Sequence, residues 1–116
     1  MSLSGRIDNF VIETGTEFKK VLTLTAMDLS GYRVRMWFKH TLYDTTFVGD
    51  FNSEGGGGIN IHPATPNGQI NIHLPSEWTY TLTYSRLIYA VEIIAPGTNE
   101  VTRLIHGVML VRKGRH

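Results

Sequence analysis

The stretch Tyr32-Arg33-Val34-Arg35-Met36-Trp37-Phe38-Lys39-His40 decides the fold class. Successive side chains of an extended chain point to opposite sides. Tyr32, Val34, Met36 and Phe38 therefore share one face, and Arg33, Arg35, Trp37 and Lys39 share the other. Apolar–polar alternation over this length predicts a β-strand with its first face toward a core. The turn before it has a mechanism. In Asp28-Leu29-Ser30-Gly31 the Asp and Ser side chains bond nearby backbone, and Gly accepts positive φ.

The same pattern extends in both directions. Upstream, Phe10 to Glu13 reads as a first strand closed by Thr14-Gly15. Glu17 to Thr25 reads as a second, with β-branched Val21, Thr23 and Thr25. Downstream, Phe47 to Phe51 reads as a short strand before the run Gly55 to Gly58. Four glycines bring high backbone entropy and no side chains to pack, so the run predicts a flexible loop. It lacks the Lys-Ser/Thr that ends a phosphate-binding loop.

An internal echo follows: Ile59-Asn60-Ile61-His62 and Ile70-Asn71-Ile72-His73, separated by turn-rich Pro63 to Gly68. Pairing Ile61 with Ile70 and Ile59 with Ile72 places all four isoleucines on one face of a hairpin. Asn60, His62, Gln69 and Asn71 then share the other. Pro75-Ser76-Glu77-Trp78 interrupts the strands, with Ser76 placed to cap a short helical turn. Leu87 to Ala95 reads as a strand with Tyr89, Val91 and Ile93 inward and Glu92 outward. Pro96-Gly97-Thr98-Asn99 turns it into a last strand, Val101 to Val111.

That last strand is apolar on both faces. Ile105, Met109 and Val111 lie on one, and Leu104, Val108 and Leu110 on the other. Two readings follow. Either Gly107 marks a bulge that swaps the faces, or the second face meets another subunit. Seven or eight short strands and no helix of ordinary length imply a β-sandwich or barrel.

Composition bounds the function. The chain has 116 residues, one domain's worth, with 41% hydrophobic residues. A domain of this size buries a core without a metal or disulfide staple. With no cysteine it has no disulfide framework, thiolate zinc site or cysteine nucleophile. A formal net charge of +1 lacks the basic excess of a nucleic-acid binder. The nearest approach is the tail Arg112, Lys113, Arg115, and residues 1–7 and 112–116 read as terminal arms. Met1 to Gly5 carries no apolar run, so no signal peptide is expected. No stretch approaches the roughly 18 apolar residues of a membrane span. The expected product is soluble, made in a cytoplasm, with no nucleic-acid or membrane partner.

The residues that could carry chemistry do not form a site. His62 and His73 are offset by about four residues, or roughly 13 Å along the strands, too far for one metal ion. His40 and His106 have no ligand-like neighbour at short spacing, and His116 is terminal. Ser30, Ser53, Ser76 and Ser85 all sit in turn-like contexts rather than on a nucleophile elbow. Asp44, Asp50 and Glu54 flank the glycine run, and a mobile loop holds paired carboxylates poorly. No enzyme activity, metal or cofactor is expected. One surface remains: Arg33, Arg35, Trp37 and Lys39. An aromatic among cations serves as a protein hot spot, a sugar platform or a base-stacking site. The alternative is that Trp37 lies under the loop after His40 with the cations solvated. The interface expected from sequence thus comprises Arg33, Arg35, Trp37 and Lys39 together with Leu104, Val108, Leu110 and Arg112.

In order along the chain, several motifs resemble a small β-sandwich family of tailed-bacteriophage particles. The opening is Phe10-Val11-Ile12-Glu13-Thr14-Gly15, and Asp28-Leu29-Ser30-Gly31-Tyr32 with its basic strand follows. Then come Gly58-Ile59-Asn60-Ile61 with Gly68-Gln69-Ile70-Asn71-Ile72, and Tyr89-Ala90-Val91-Glu92. The end is Arg103-Leu104-Ile105-His106-Gly107-Val108-Met109-Leu110-Val111. The likeness runs from about residue 8 to 111. Ala90 stands where the family usually has Asp, and Trp78-Thr79-Tyr80 is more aromatic than its pattern. The resemblance implies an immunoglobulin-like β-sandwich of about seven or eight short antiparallel strands. It also implies a structural virion protein: a ring-forming tail, baseplate or collar subunit that contacts copies of itself and anchors tail fibres or neighbouring tail proteins. It implies no catalytic residues. A head-decoration or neck protein of the virion is the nearest alternative. A carbohydrate-binding module using Trp37, Trp78 and the tyrosines is the alternative from another class.

Overall fold

The computed structural model describes residues 6–24, 27–54, 58–62 and 68–114. Nine strands and one short helix follow in order: β1 (Arg6–Ile7), β2 (Phe10–Glu13), β3 (Phe18–Leu24), β4 (Arg33–Lys39), β5 (Gly49–Asn52), β6 (Ile59–His62), β7 (Gly68–Leu74), α1 (Ser76–Tyr80), β8 (Arg86–Ile94) and β9 (Val101–Arg112). They form two sheets. One runs β1/β2–β9–β8–β4–β5 and the other β3–β7–β6. Strands of one sheet that are neighbours in space but not in sequence give the Greek-key connectivity of immunoglobulin-like sandwiches. Of the sandwich or barrel that the alternation predicts, the two-sheet sandwich is the observed fold.

The alternation in β4 works as expected. Val34, Met36 and Phe38 are buried, and they meet Ile93, Val91 and Tyr89 of antiparallel β8 at the same rows of the inner face. From the other sheet Leu22, Ile59, Ile70, Ile72 and Leu74 close the core. The isoleucine hairpin has the expected register, with Ile59 opposite Ile72 and Ile61 opposite Ile70. The turn ahead of β4 also forms as expected: Asp28 Oδ1 accepts from the Ser30 N–H and hydroxyl, and Gly31 has φ 78°. Those two bonds favour the ionised carboxylate and lower the Asp28 pKa, the Ser30 hydroxyl contributing most.

Four expectations change. First, the strands are not all antiparallel, because β1 and β2 pair parallel with β9. The arms read at 1–7 and 112–116 are correspondingly shorter: Arg6 and Ile7 join the ladder, and Arg112 pairs with Glu13. Second, Ser76 is the first helical residue rather than the cap. Extended Pro75 holds the cap position, and its carbonyl accepts from the Trp78 and Thr79 N–H groups. Pro suits this place because it needs no N–H partner there.

Third, the bulge in β9 is at Leu104, not Gly107. Val91 faces Ile105 while Glu92 faces Arg103, so Leu104 is the extra residue. Both Leu104 and Ile105 are buried. Inserting one residue turns the even-numbered inner face into an odd-numbered one, which is what a bulge does. Fourth, Gly107 answers a different need. A Cβ there would collide with the Asp8 carbonyl oxygen and approach Asn9 Oδ1 to 2.7 Å. The chain between β1 and β2 presses onto Gly107. There the Asp8 N–H donates to the His106 carbonyl (2.9 Å), and the hydroxyl of buried Tyr89 donates to the Asp8 carbonyl (2.6 Å). Asn9 Oδ1 accepts the Val108 N–H at 2.9 Å in place of a backbone carbonyl.

Of the glycine run read as a loop, 55–57 lie outside the described residues. Gly58 forms a bridge with Asn52, and its carbonyl accepts from the His73 N–H. The turn at 63–67, Thr25 and the terminal residues Arg115 and His116 also lie outside the described set.

Candidate interaction surface

The ladders place the expected interface residues row by row on the outer face of the larger sheet. Arg33 shares a row with Ile94 and Val101. Arg35 sits with Glu92, Arg103 and Asn52. Trp37 sits with Ala90, His106, Asp50 and Ile7. Lys39 sits with Ile88 and Val108, and Leu110 lies between Arg86 and Val11. Arg112 pairs with Glu13 at the end.

The cationic half of this face is internally satisfied. Arg35 makes two bonds of 2.9 Å to the Asp50 carboxylate. That hydrogen-bonded carboxylate raises the Arg35 pKa further, against the opposing effect of burial. Arg33 lies 3.5 Å from Glu54 and donates to Asn99 Oδ1 at 3.0 Å, and Arg103 lies 3.7 Å from Glu92. Trp37 is only 8% exposed. Phe47, from the loop after His40, packs beside it with ring centres 6.0 Å apart. Lys39 Nζ sits 5.2 Å from the indole centre and the Arg103 guanidinium 5.7 Å. Trp37 is therefore the covered centre of a cation–π layer, not an open hot spot or platform. Trp78 is likewise engaged. It packs against Phe38 and Phe51, and its indole N–H donates to the Val48 carbonyl at 3.3 Å.

Leu104 leaves the interface set. The bulge turns it inward, and at 8% exposed it belongs to the core. Val108 and Leu110 remain on the outer face, partly and about half exposed respectively. Around them lie residues that sequence reading missed. Ile7 is 70% exposed, Val11 44%, Leu42 68% and Tyr43 94%. His40, Leu42, Tyr43, Arg86, Ile88 and Val108 line an open groove of about 500 Å³. His40 is not free in this groove's wall, since its ring stacks on Tyr84 with centres 4.0 Å apart. The signal for Val11 was present in Phe10-Val11-Ile12. In a two-layer sandwich three successive apolar residues cannot all face inward. Leu42 and Tyr43 carried no periodic signal, being in a turn.

No family model matches this chain, and no curated protein matches it. The surface therefore has to be read from its own chemistry. Asp44, Asp50 and Glu54 have separate partners: the Thr41 N–H, Arg35 and Arg33. His73 lies 3.4 Å from Glu17. Among the described residues no three His, Cys, Asp or Glu side chains are grouped to hold a metal ion, and no helix is long and apolar enough to cross a membrane. What the face offers is an apolar rim beside a strand edge. Such a surface is suited to burial against another protein.

Proposed function

We propose that this chain is a structural subunit of a tailed-bacteriophage virion, a ring-forming tail, baseplate or collar domain that packs against copies of itself and neighbouring tail proteins. The observation that carries the reading is the exposed apolar rim of Ile7, Val11, Leu42, Tyr43 and Leu110 on one side of a small sandwich. Burial of apolar area drives association at roughly 25 cal/mol per Å² before the costs of ordering are met. A second support is that the motifs carrying the resemblance fall on successive elements. The Asp28–Gly31 turn feeds β4, the paired isoleucine motifs form β6 and β7, and the closing motif is β9. The sugar-platform alternative loses its two tryptophans, which are packed against aromatic neighbours, and keeps the exposed tyrosines Tyr43 and Tyr80.

The test is mass spectrometry of purified particles from the phage or lysogen encoding the chain, with imaging to place it. Presence in the tail at a fixed copy number is the expected result. Absence from particles that are otherwise complete overturns the proposal, and a position on the head moves it to a decoration or neck role.

A further inference from the structure

Among the described residues, the side of the sandwich formed by β1 and β2 ends in an open strand edge. The Asp8 N–H donates to the His106 carbonyl and the Thr14 N–H to the Arg112 carbonyl. In a parallel ladder alternate residues bond to the neighbour. Even-numbered residues of this segment thus face β9, and the backbone groups of Val11 and Glu13 point away from it. The Glu13 carbonyl is taken by the Thr16 N–H and hydroxyl (3.2 and 2.7 Å). The Val11 N–H and C=O and the Glu13 N–H remain directed at the edge.

Two other edges carry features of their own. At one end of the β5 edge Asn52 forms a bridge with Gly58. The β3 edge holds Lys19 and Lys20, the latter reaching over the Phe10 ring at 4.8 Å. Lysines on an edge oppose strand addition. Strand β2 has no lysine of its own: Lys20 lies over Phe10 on the inner face, and the opposite face carries exposed Val11 with half-exposed Leu110 beside it. An open edge is completed by another open edge, and the one that a second copy supplies is this same strand.

We propose that two copies of the chain pair β2 to β2, antiparallel, across a two-fold axis at Val11. In this register each Val11 N–H meets the partner copy's Val11 carbonyl. Each Glu13 N–H meets the carbonyl of the other copy's Asn9. The side chains agree with the backbone. Asn9 Oδ1 is already committed to the Val108 N–H, so its amide NH2 is left to donate, and it lies opposite the Glu13 carboxylate. No like charges oppose each other, and Val11 and Leu110 of both copies merge into one apolar strip. Such an interface is isologous and closes after two copies. Of the exposed apolar rim, the pairing covers Val11 and Leu110 and leaves Leu42 and Tyr43 outside it. The pairing does not depend on the virion reading and stands or falls in purified protein.

Two substitutions test it. Val11→Pro removes an N–H that bonds to none of the described residues of the monomer, in an edge strand where Pro is tolerated. Sedimentation should give twice 13.1 kDa for the wild type and the monomer mass for Val11→Pro, with the circular-dichroism spectrum unchanged. Val11→Cys introduces the only thiol in the chain. Opposed residues of a hydrogen-bonded antiparallel pair have Cα atoms about 5.5 Å apart, within disulfide range. Mild oxidation should therefore cross-link Val11→Cys at least about tenfold faster than Val21→Cys, an exposed control on β3. A wild type that stays monomeric at high micromolar concentration overturns the proposal. So does a Val11→Pro dimer, or equal cross-linking at the two positions.

Discussion

Gly107→Ala is the substitution whose effect follows most directly from the geometry. A Cβ at this position enters the space of the Asp8 carbonyl and stands 2.7 Å from Asn9 Oδ1. Both obstacles belong to the segment between β1 and β2, so that segment must lift. Lifting it separates the Tyr89 hydroxyl from the Asp8 carbonyl, inside a core where Tyr89 is fully buried. Leaving a buried donor without its acceptor costs about 1–3 kcal/mol. The Asp8–His106 and Asn9–Val108 bonds go with it, at about 0.5–1.5 kcal/mol each. Replacing Gly by Ala returns about 0.4–1 kcal/mol through a less flexible unfolded chain. The net expectation is a loss of about 2–4 kcal/mol.

Urea unfolding measures this. At an m-value of about 1–3 kcal/mol per M, the midpoint should fall by roughly 1–3 M. A double-mutant cycle with Tyr89→Phe isolates the mechanism. Tyr89→Phe alone should cost about 1 kcal/mol and close to nothing once Gly107→Ala has already displaced Asp8. Amide exchange at Asp8 and Val108 should quicken selectively. A Gly107→Ala protein within about 0.5 kcal/mol of the wild type, or a cycle in which the two losses simply add, refutes the account of Gly107 as the seat of the first strand.

Three further outcomes are expected. Leu104→Ala should cost about 2–4 kcal/mol by opening a core cavity, whereas Leu110→Ala should stay within about 0.5 kcal/mol, both read by thermal unfolding. Trp37→Ala should lower stability by about 3 kcal/mol, since Phe47, Lys39 and Arg103 lose their common support, with no change in glycan-array binding. The depressed Asp28 pKa means that its contribution is present above the unfolded value of 3.8 and is lost as pH falls through the lower folded value. Ser30→Ala should move the Asp28 titration midpoint back up toward 3.8, as seen by NMR.

Most of the sandwich was legible because β4, β7 and β8 are ordinary alternating strands that meet the core on one face. The isoleucine echo even determined its register, since a slip by one residue exposes every isoleucine. The N-terminal strand was less legible. Parallel pairing with β9 leaves no local turn signal, because the partners lie 99 residues apart. The interface reading erred at Trp37 and Leu104 for related reasons. Strand parity tells which face a residue takes, but not what returns to cover that face. Phe47, read from sequence as the start of a strand, instead lies in the loop before β5 and covers Trp37 from there.

Leu104 shows the other way parity misleads. Alternation assumes that every residue of a strand faces one partner, and the bulge breaks that assumption between Leu104 and Ile105. Gly107 was the natural suspect because glycine weakens a strand, yet the register shift falls on a leucine with a buried neighbour. Once the shift is placed there, the last strand no longer has two apolar faces along its whole length. Thr102 and Leu104 continue the inner face before the bulge, and Ile105, Met109 and Val111 continue it afterwards. The outer face beyond the bulge is His106, Val108, Leu110 and Arg112. Of the two readings of this strand, the face-swapping bulge is the one observed, at Leu104 in place of Gly107. A bulge does swap the faces, and the shorter apolar strip it leaves outside, Val108 and Leu110, runs beside the open edge at Val11.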